Sequence, residues 1–401
     1  MQAMRSSQSL FCRRTKWHGR KAYVLGNKVV RLTTLTGGGH IAEFHLENSD
    51  SGASVSPLWV PPWRTIEPDQ YEERLHKRDY GTITEGKLLS GLVGHNICLD
   101  YFGSPSVEEA QQGLSQHGEA PWSKWQRSGI SVNRHQVSLE MSARLPVCGL
   151  RFNREIELKK DESVVYFREE VRNERKSDHF FHWTQHVTLG LPFLSPEDAL
   201  VSIPGTKGIT YPHGYDEGKA LLASNREFRW PRAPLPKGGT VDLTRPFLCQ
   251  GLGFVVAVLL DKTKNVGFVA AVNRKLGLLI AYCFKRSDFP WVAIWEENLG
   301  IVAPPWKQRT RARGLEFSTT PLPVLRREAF FSGPLFGEPT LTCVPAKGRK
   351  TVQYVALLAK APEGFGTVGE ISFANNLVLI HGTRQKQPLV IKASGIQKIF
   401  D

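Results

Sequence analysis

Apolar and polar residues alternate along three consecutive segments of the chain. Residues 136–145 (QVSLEMSARL), 150–159 (LRFNREIELK) and 163–173 (SVVYFREEVRN) place apolar side chains at nearly every second position. A strand directs successive side chains to opposite faces, so this period of two indicates strands with one buried face. The three segments therefore predict neighbouring half-buried strands.

Three later segments are apolar at almost every position. They are residues 253–260 (GFVVAVLL), 266–272 (VGFVAAV) and 277–284 (GLLIAYCF), and Gly, Asn and Lys residues bound them. Short apolar runs with such boundaries are typical of strands that are buried on both faces. They predict strands inside a sandwich of sheets.

Helical patterns are few, and 36 glycines and 25 prolines interrupt the chain. Residues 106–114 (SVEEAQQGL) predict one or two turns of helix. Many strands joined by loops predict an all-β fold, a large antiparallel β-sandwich with few short helices. We expect a flexible basic segment over residues 1–20 and a single domain over 21–401. Residues 49–85 predict a long polar loop insertion, and such loops are often functional.

The chain has 401 residues and a formal net charge of +14. This surplus favours anionic partners, and it suggests an anionic sugar such as a sugar phosphate or a uronate. The basic clusters lack the interleaved aromatic residues of RNA-binding sheets, and no helix-turn-helix or zinc-finger spacing occurs, so we expect no nucleic-acid partner. The sequence contains no apolar run of transmembrane length, its basic N-terminal residues lack the apolar stretch expected of a secretory signal, and its six cysteines are widely spaced. These features predict a cytoplasmic protein with reduced thiols.

Two motifs resemble known ligand sites but do not fit them. Residues 36–40 (TGGGH) resemble a phosphate-binding loop, yet a strand pattern follows where a helix N-terminus would be needed. His182 and His186 in HWTQH have the spacing of a helical metal pair. Their flanks predict a strand, in which four residues span about 13 Å, too far for one metal ion. We therefore predict no metal site.

Three glutamates are candidates for acid–base chemistry. Glu296 and Glu297 follow an apolar strand pattern, and Glu316 lies between Leu315 and Phe317. A carboxylate among apolar neighbours either points to solvent or is partly desolvated and suited to act as a base. The local pattern leaves both alternatives open for Glu316.

Four regions, taken in order, resemble the galactose mutarotase-like superfamily, which includes the aldose 1-epimerases and the hexose-6-phosphate epimerases. The first is a glycine turn leading into a strand, and the second joins a C-x-x-x-F-G-like element to HG and then Trp. The third is a V-x-N strand followed by a histidine, and the fourth is a Trp strand followed by a Leu-Glu strand with a later Pro. The segments are LTTLTGGGHIAEFHL, GLVGHNICLDYFG with LSQHGEAPWSKW, VRNERKSDHFFHWTQHVTLGLPFL, and FPWVAIWEEN with RGLEFSTTPLP.

The resemblance implies roles for individual positions. Glu316 corresponds to the catalytic glutamate, His186 to the second family histidine and His117 to the first. These roles would make Glu316 the base for the O1 proton and His186 the acid for the ring oxygen, while His117 would bind or polarise the ring oxygen. Residues expected near the sugar are His95, Asn96, Trp122, Trp125 and Trp295.

The function implied by the resemblance is a carbohydrate isomerase that interconverts aldose or aldose-phosphate anomers. The ring opens, the C1–C2 bond rotates and the ring closes again, which requires a proton acceptor and a proton donor but no metal or organic cofactor. The expected partner is a small-molecule carbohydrate, with no membrane partner. The alternative is a carbohydrate-binding protein of the same fold that has lost turnover.

Overall fold

The computed structural model describes residues 10–47, 55–216 and 218–400, and the strands within these ranges form four sheets. In chain order the strands are β1 (Phe11–Trp17), β2 (Arg20–Gly26), β3 (Val30–Leu35), β4 (Ile41–Leu46), β5 (His95–Cys98), β6 (Gln126–Val132), β7 (Gln136–Leu145), β8 (Leu150–Lys159), β9 (Val164–Asn173), β10 (His179–Phe181), β11 (Thr184–Gly190), β12 (Ala199–Ser202), β13 (Gly205–Thr210), β14 (Glu227–Arg229), β15 (Arg232–Pro234), β16 (Thr240–Asp242), β17 (Gly253–Leu260), β18 (Val266–Asn273), β19 (Leu278–Lys285), β20 (Trp291–Asn298), β21 (Arg311–Ser318), β22 (Thr342–Val344), β23 (Arg349–Lys360), β24 (Val368–Ala374), β25 (Leu377–Gly382) and β26 (Leu389–Lys392). The α-helices are α1 (Glu73–Tyr80), α2 (Ile83–Leu89), α3 (Val107–Gln111), α4 (Arg326–Ser332) and α5 (Gln397–Phe400), and two single 3₁₀ turns cover Pro68–Gln70 and Ala120–Trp122.

Two large antiparallel sheets form the body of the protein. The larger has the strand order β1-β2-β3-β4-β5-β11-β21-β20-β17-β13-β14-β15-β16, and the smaller has the order β12-β18-β19-β23-β9-β8-β7-β6. Their facing sides share one apolar core, in which Val187 and Leu315 of the larger sheet belong with Phe152 and Phe167 of the smaller. The predicted all-β sandwich with few short helices is confirmed.

The alternating segments form the strands that the pattern predicts. Strands β7, β8 and β9 pair as a continuous antiparallel meander. In β8 the even-numbered residues are buried and the odd-numbered ones are half-buried. Their apolar side chains face the larger sheet because only this side of the meander is covered by the sandwich core.

The uniformly apolar segments are also strands, and two of them lie in the middle layer of a three-layer region. Strands β18 and β19 contribute one face to the main core. Their other face packs under a small sheet of β24, β25 and β26, in a second apolar cluster that includes Cys283, Ile371 and Ile380. Burial on both faces explains why these segments show no alternation.

The segment over residues 1–20, which we expect to be flexible, contains regular structure in its described part. Phe11–Trp17 is strand β1, which pairs with β2 along its whole length. Trp17 is buried, whereas the basic residues of β1 are exposed. Such a sequence is compatible with a strand because β1 is at the edge of the sheet, where charged side chains can remain in water. Residues 1–9 lie outside the described part.

The predicted loop insertion over residues 49–85 contains regular structure. Residues 48–54 lie outside the described part, and the remainder includes α1 and the start of α2. Both helices are short, and neither has a side-chain N-cap, which is why the sequence pattern did not reveal them. Among the described residues, no helix is long and apolar enough to span a membrane.

Candidate functional site

The candidate site lies on the face of the larger sheet that is turned away from the main core. Strand register places Asn96 of β5, His186 of β11 and Glu316 of β21 side by side in one row across this face. Directly paired residues on neighbouring strands point to the same side of a sheet. The row two positions along contains Trp295 of β20, which therefore lies on the same face.

A cavity of about 350 Å³ opens above these rows. This volume is within the usual range for small-molecule sites. Its walls are supplied by the sheet, by α2 from the insertion, and by the loops that follow β5, β13, β20 and β21. The lining residues are Glu85, Leu88, Leu89, Leu92, Phe102, Gly103, Ser104, Gln116, His117, His186, Tyr211, Tyr215, Asp216, Val255, Trp295, Ile301, Ala303, Pro304, Trp306, Glu316 and Pro323.

His186 and Glu316 form a close pair at the cavity. Nε2 of His186 is 3.1 Å from Oε1 of Glu316, and Nδ1 of His186 is 3.0 Å from Oγ1 of Thr188. The histidine and the carboxyl are not aligned for a hydrogen bond, so Oε1 has no hydrogen-bond partner among the described residues. This buried oxygen therefore has unused capacity to accept a hydrogen bond.

Burial shifts the protonation of both groups. It raises the pKa of Glu316 well above the ordinary value for a glutamate, and it lowers the pKa of His186 well below that of a free imidazole. Burial alone thus favours the neutral pair, whereas the contact between them favours the ion pair. In either form the two groups share one exchangeable proton. One of them can therefore donate a proton while the other accepts one.

Gly314 makes room for the glutamate. A Cβ atom at this position would lie 2.0 Å from Oε1 of Glu316, so any other residue would displace the carboxyl. Gly314 and Glu316 are two residues apart on β21 and share the cavity face. The G-x-E spacing in the sequence is thus part of the construction of the site.

His117 approaches the pair from a loop, and its ring centroid is 5.0 Å from that of His186. Its backbone has a φ of 64°, a conformation uncommon outside glycine, and Gly118 continues the turn with a φ of 77°. Backbone hydrogen bonds to Gly103 and from Leu99 hold this turn. The HG pair is therefore a turn that directs the imidazole into the cavity.

The tautomer of His117 is set by its hydrogen bond. Nδ1 lies 2.6 Å from the carbonyl oxygen of Phe102, and since a carbonyl can only accept, Nδ1 carries the proton. Burial lowers the pKa of His117 to about 4. Near neutral pH the ring is therefore uncharged, and the lone pair of Nε2 is available to accept a hydrogen bond from a ligand.

Four tryptophans line and support one side of the cavity. Trp295 and Trp306 line it, with ring centroids 5.7 Å apart. Trp59 stacks behind Trp306 at 6.1 Å, and the edge of Trp63 meets the Trp306 ring at 5.1 Å. Aromatic rings pack well against the C–H faces of sugars, so this wall suits a carbohydrate.

The structure brings together four of the eight residues predicted from the sequence. His117, His186, Glu316 and Trp295 all line the cavity. Asn96 lies next to His186 in the row but is fully buried, and it is not part of the cavity surface. Neither amide atom of Asn96 has a hydrogen-bond partner in the described structure.

The predicted sugar contacts of His95, Trp122 and Trp125 need correction. His95 is on the opposite face of β5, where its Nε2 is 2.9 Å from Oε1 of Gln185 in the core. Trp125 is also buried in the core, and its indole donates to the Ala120 carbonyl. Trp122 lies outside the cavity lining and donates to the Gly118 carbonyl. His95 faces the core because it is one strand position from Asn96, whereas Trp122 and Trp125 lie outside the strands.

Several lining residues were not predicted from the sequence. Tyr211, Tyr215 and Asp216 come from the loop between β13 and β14, Glu85 comes from α2, and Trp306 comes from the loop after β20. These segments are far apart in sequence, and no local pattern marks them. Among the described lining residues there is no lysine or arginine, despite the net charge of +14. In the described ranges, no group of three potential metal ligands is placed to hold an ion.

Comparison with known proteins shows a likeness of structure only. No protein-family model and no curated protein sequence matches the chain. A Klebsiella pneumoniae protein provisionally named an aldose 1-epimerase matches with a TM-score of 0.61 and 13% identity, over 85% of this chain and 79% of that chain. A galactose mutarotase-like protein from Clostridium acetobutylicum matches with a TM-score of 0.57 and 11% identity, over 88% and 99%.

An Escherichia coli K12 protein, also provisionally named an aldose 1-epimerase, matches with a TM-score of 0.53 and 14% identity, over 84% of this chain and 99% of that chain. Identities this low carry information on the fold and not on the reaction. The resemblance inferred from the sequence motifs is confirmed at this level: the chain has the fold of the galactose mutarotase-like superfamily.

Proposed function

We propose that the protein is an aldose 1-epimerase, which interconverts the α and β anomers of a sugar by opening and closing its ring. The observation that carries this proposal is the meeting of His117, His186 and Glu316 at one cavity beside the Trp295 ring. The three come from distant parts of the chain, and two of them form a pair that holds one proton. Ring opening by acid–base catalysis needs one proton donor and one proton acceptor beside the sugar.

The proposed reaction starts from the ion-pair form: the Glu316 carboxylate accepts the proton of the O1 hydroxyl while the His186 imidazolium donates a proton to the ring oxygen O5. The O1 electron pair forms the C1=O1 double bond, and the C1–O5 bond breaks with its electrons left on O5. After rotation about C1–C2, the same proton transfers in reverse close the ring on the other face. The short distance between His186 and Glu316 suits two transfers at neighbouring oxygens of one sugar.

The protonation of His117 supports a binding role for it. With Nδ1–H donating to Phe102, a neutral His117 offers only the lone pair of Nε2 to a ligand. Nε2 would accept a hydrogen bond from a sugar hydroxyl, close to the His186 ring. His117 would thereby hold the sugar with O1 and O5 near the proton-transferring pair.

The direct test is anomer exchange on freshly dissolved α-anomers of several hexoses, followed by polarimetry or by NMR exchange. We expect exchange faster than the spontaneous rate for at least one neutral aldose, because positioned acid and base groups each contribute about 10²–10⁴-fold. If every sugar exchanges at the spontaneous rate while ligand-observed NMR still detects binding, the alternative of a carbohydrate-binding protein replaces the enzyme.

The charge of the cavity wall supports an uncharged sugar over the anionic one that the net charge suggests. Glu85 and Asp216 add carboxyl groups to the lining, and none of the described lining residues is a lysine or an arginine. Carboxylates accept hydrogen bonds from sugar hydroxyls, whereas they repel a phosphate. We therefore propose a neutral aldose as the substrate.

We expect kcat/KM to be at least about tenfold higher for a neutral hexose than for its 6-phosphate, a difference of about 1.4 kcal/mol. Glu85→Gln and Asp216→Asn should narrow this ratio, because each removes a repelling charge. Glu227→Gln, at an exposed position of β14, is the control and should leave the ratio unchanged. A wild-type protein that prefers the phosphate would contradict the proposal of a neutral substrate without affecting that of anomer exchange.

A further inference from the structure

One buried carboxyl group connects three segments that form the Trp295 side of the cavity. Glu297 lies on β20, two residues after Trp295 and therefore on the same face of the sheet. Its side chain is fully buried, and it is not part of the cavity lining. It contacts the loop after β13 through Tyr215 and the loop after β20 through the backbone of Ile301.

The hydrogen bonds run in one direction, from the indole to the carboxylate. Nε1 of Trp295 donates to Oη of Tyr215 over 3.1 Å, and Oη donates to Oε2 of Glu297 over 2.7 Å. An indole can only donate, so the phenol oxygen accepts there and its proton is directed to Glu297. The other oxygen, Oε1, accepts from the backbone N–H groups of Gly300 and Ile301.

These bonds account for a carboxyl group at a buried position. Burial raises the pKa of Glu297, and the hydrogen bonds from Tyr215, Ile301 and Gly300 act in the opposite direction. A buried carboxyl without such donors would be costly. Because both oxygens are used by protein donors, Glu297 is unavailable to exchange protons with a sugar in the cavity.

We propose that Glu297 is a positioning residue that fixes the aromatic wall of the sugar site. Through Tyr215 it sets the orientation of the Trp295 ring, whose centroid is 6.2 Å from that of His186. Through the Ile301 backbone it holds the start of the loop that carries Trp306. The proposal rests on the proposed function for the identity of the ligand as a sugar, but the role concerns binding and not proton transfer.

The expected consequence is a separation of KM from kcat. A wall fixed in advance lowers the cost of ordering it when a ligand binds, so loosening it weakens binding. The groups that transfer protons, His186 and Glu316, have no hydrogen bond to Glu297 and keep their geometry. Loss of the carboxylate should therefore raise KM and leave the rate of the bound complex nearly unchanged.

The test uses two substitutions in the full-length protein. Glu297→Gln keeps the size of the side chain but replaces one acceptor oxygen by a donor, and Tyr215→Phe removes the connecting hydroxyl alone. We expect each to raise KM about tenfold and to change kcat by less than about threefold, since an unpaired buried donor weakens the arrangement it belonged to. Glu296→Gln is the matched control, because this neighbouring buried glutamate binds Arg313 on the opposite face. It should lower the thermal midpoint without raising KM.

Tryptophan fluorescence gives a readout that does not depend on turnover. We expect D-glucose or D-galactose to change the emission of the wild-type protein, with a dissociation constant about tenfold higher in Glu297→Gln and Tyr215→Phe. A protein that binds these sugars without exchanging anomers would refute the proposed reaction and still test the positioning role. The positioning role of Glu297 would be overturned if KM and the dissociation constants were unchanged in both variants, or if only kcat fell.

Discussion

Replacing Glu316 by glutamine is expected to lower kcat for anomer exchange by about 10²–10⁴-fold while sugar binding persists. Glutamine preserves the shape of the side chain and can still hydrogen bond, but it cannot take up the O1 proton. The surroundings should tolerate the change, because Oε1 of Glu316 has no hydrogen-bond partner to lose. NMR exchange measures kcat, and ligand-observed NMR measures binding.

Two histidine variants separate proton donation by His186 from sugar binding by His117. His186→Asn should lower kcat in the same way, since it removes the proton donor, whereas His117→Asn should weaken binding as well. Glu140→Gln, at an exposed position of β7 on the other sheet, is the control and should behave as the wild type. If Glu316→Gln exchanges anomers at the wild-type rate, the assignment of the base is wrong.

The second large effect is a loss of stability, and it concerns the buried pair of Glu169 and Arg154 beneath the site. Glu169→Gln is expected to lower the free energy of unfolding by about 3–5 kcal/mol, because it leaves the charge of Arg154 buried without a counter-ion. The two side chains are 2.7 Å apart and almost fully buried between the sheets. Glu169 also accepts from Tyr354 and from Gln185, which is on the strand of the larger sheet that carries His186.

Urea unfolding of the wild type and of two adjacent variants measures this effect. Glu170→Gln is the matched control, because Glu170 pairs with Arg349, whose side chain is 76% exposed. Solvent around Arg349 screens this pair, and screened pairs contribute about 0–1 kcal/mol, so the variant should unfold close to the wild type although Glu170 itself is half-buried. Equal losses in the two variants would show that the buried pair contributes no more than the surface pair.

The strands of the sandwich could be predicted from the sequence because the burial of a strand determines the pattern of apolar and polar residues along it. Alternation in β8 reflects one covered face, and the unbroken apolar run of β19 reflects two. The helices of the insertion show no comparable pattern of apolar and polar residues. Helix α2 is only seven residues long and is held by contacts with distant segments, so local propensity did not determine it.

The candidate site was predictable only in part, for a related reason. The motifs identified His117, His186 and Glu316, but strand pairing brings the last two together from positions 130 residues apart. No local pattern shows such pairing. Similarly, His95 and Asn96 are adjacent in sequence, yet one faces the core and the other the cavity side of the sheet. Tyr215 and Trp306 lie on loops, and only the folded structure brings them to the same wall.

The pairing of β9 with β23 has a consequence for how the protein folds during its synthesis. Glu169 and Tyr354, which meet across these two strands, are 185 residues apart in sequence. The meander of β7, β8 and β9 can form from local hairpins, but its open edge has no partner until the ribosome has released β23. Non-local pairing slows folding and leaves strand edges exposed in the meantime. We therefore expect slow refolding and a tendency of chains that end before β23 to aggregate.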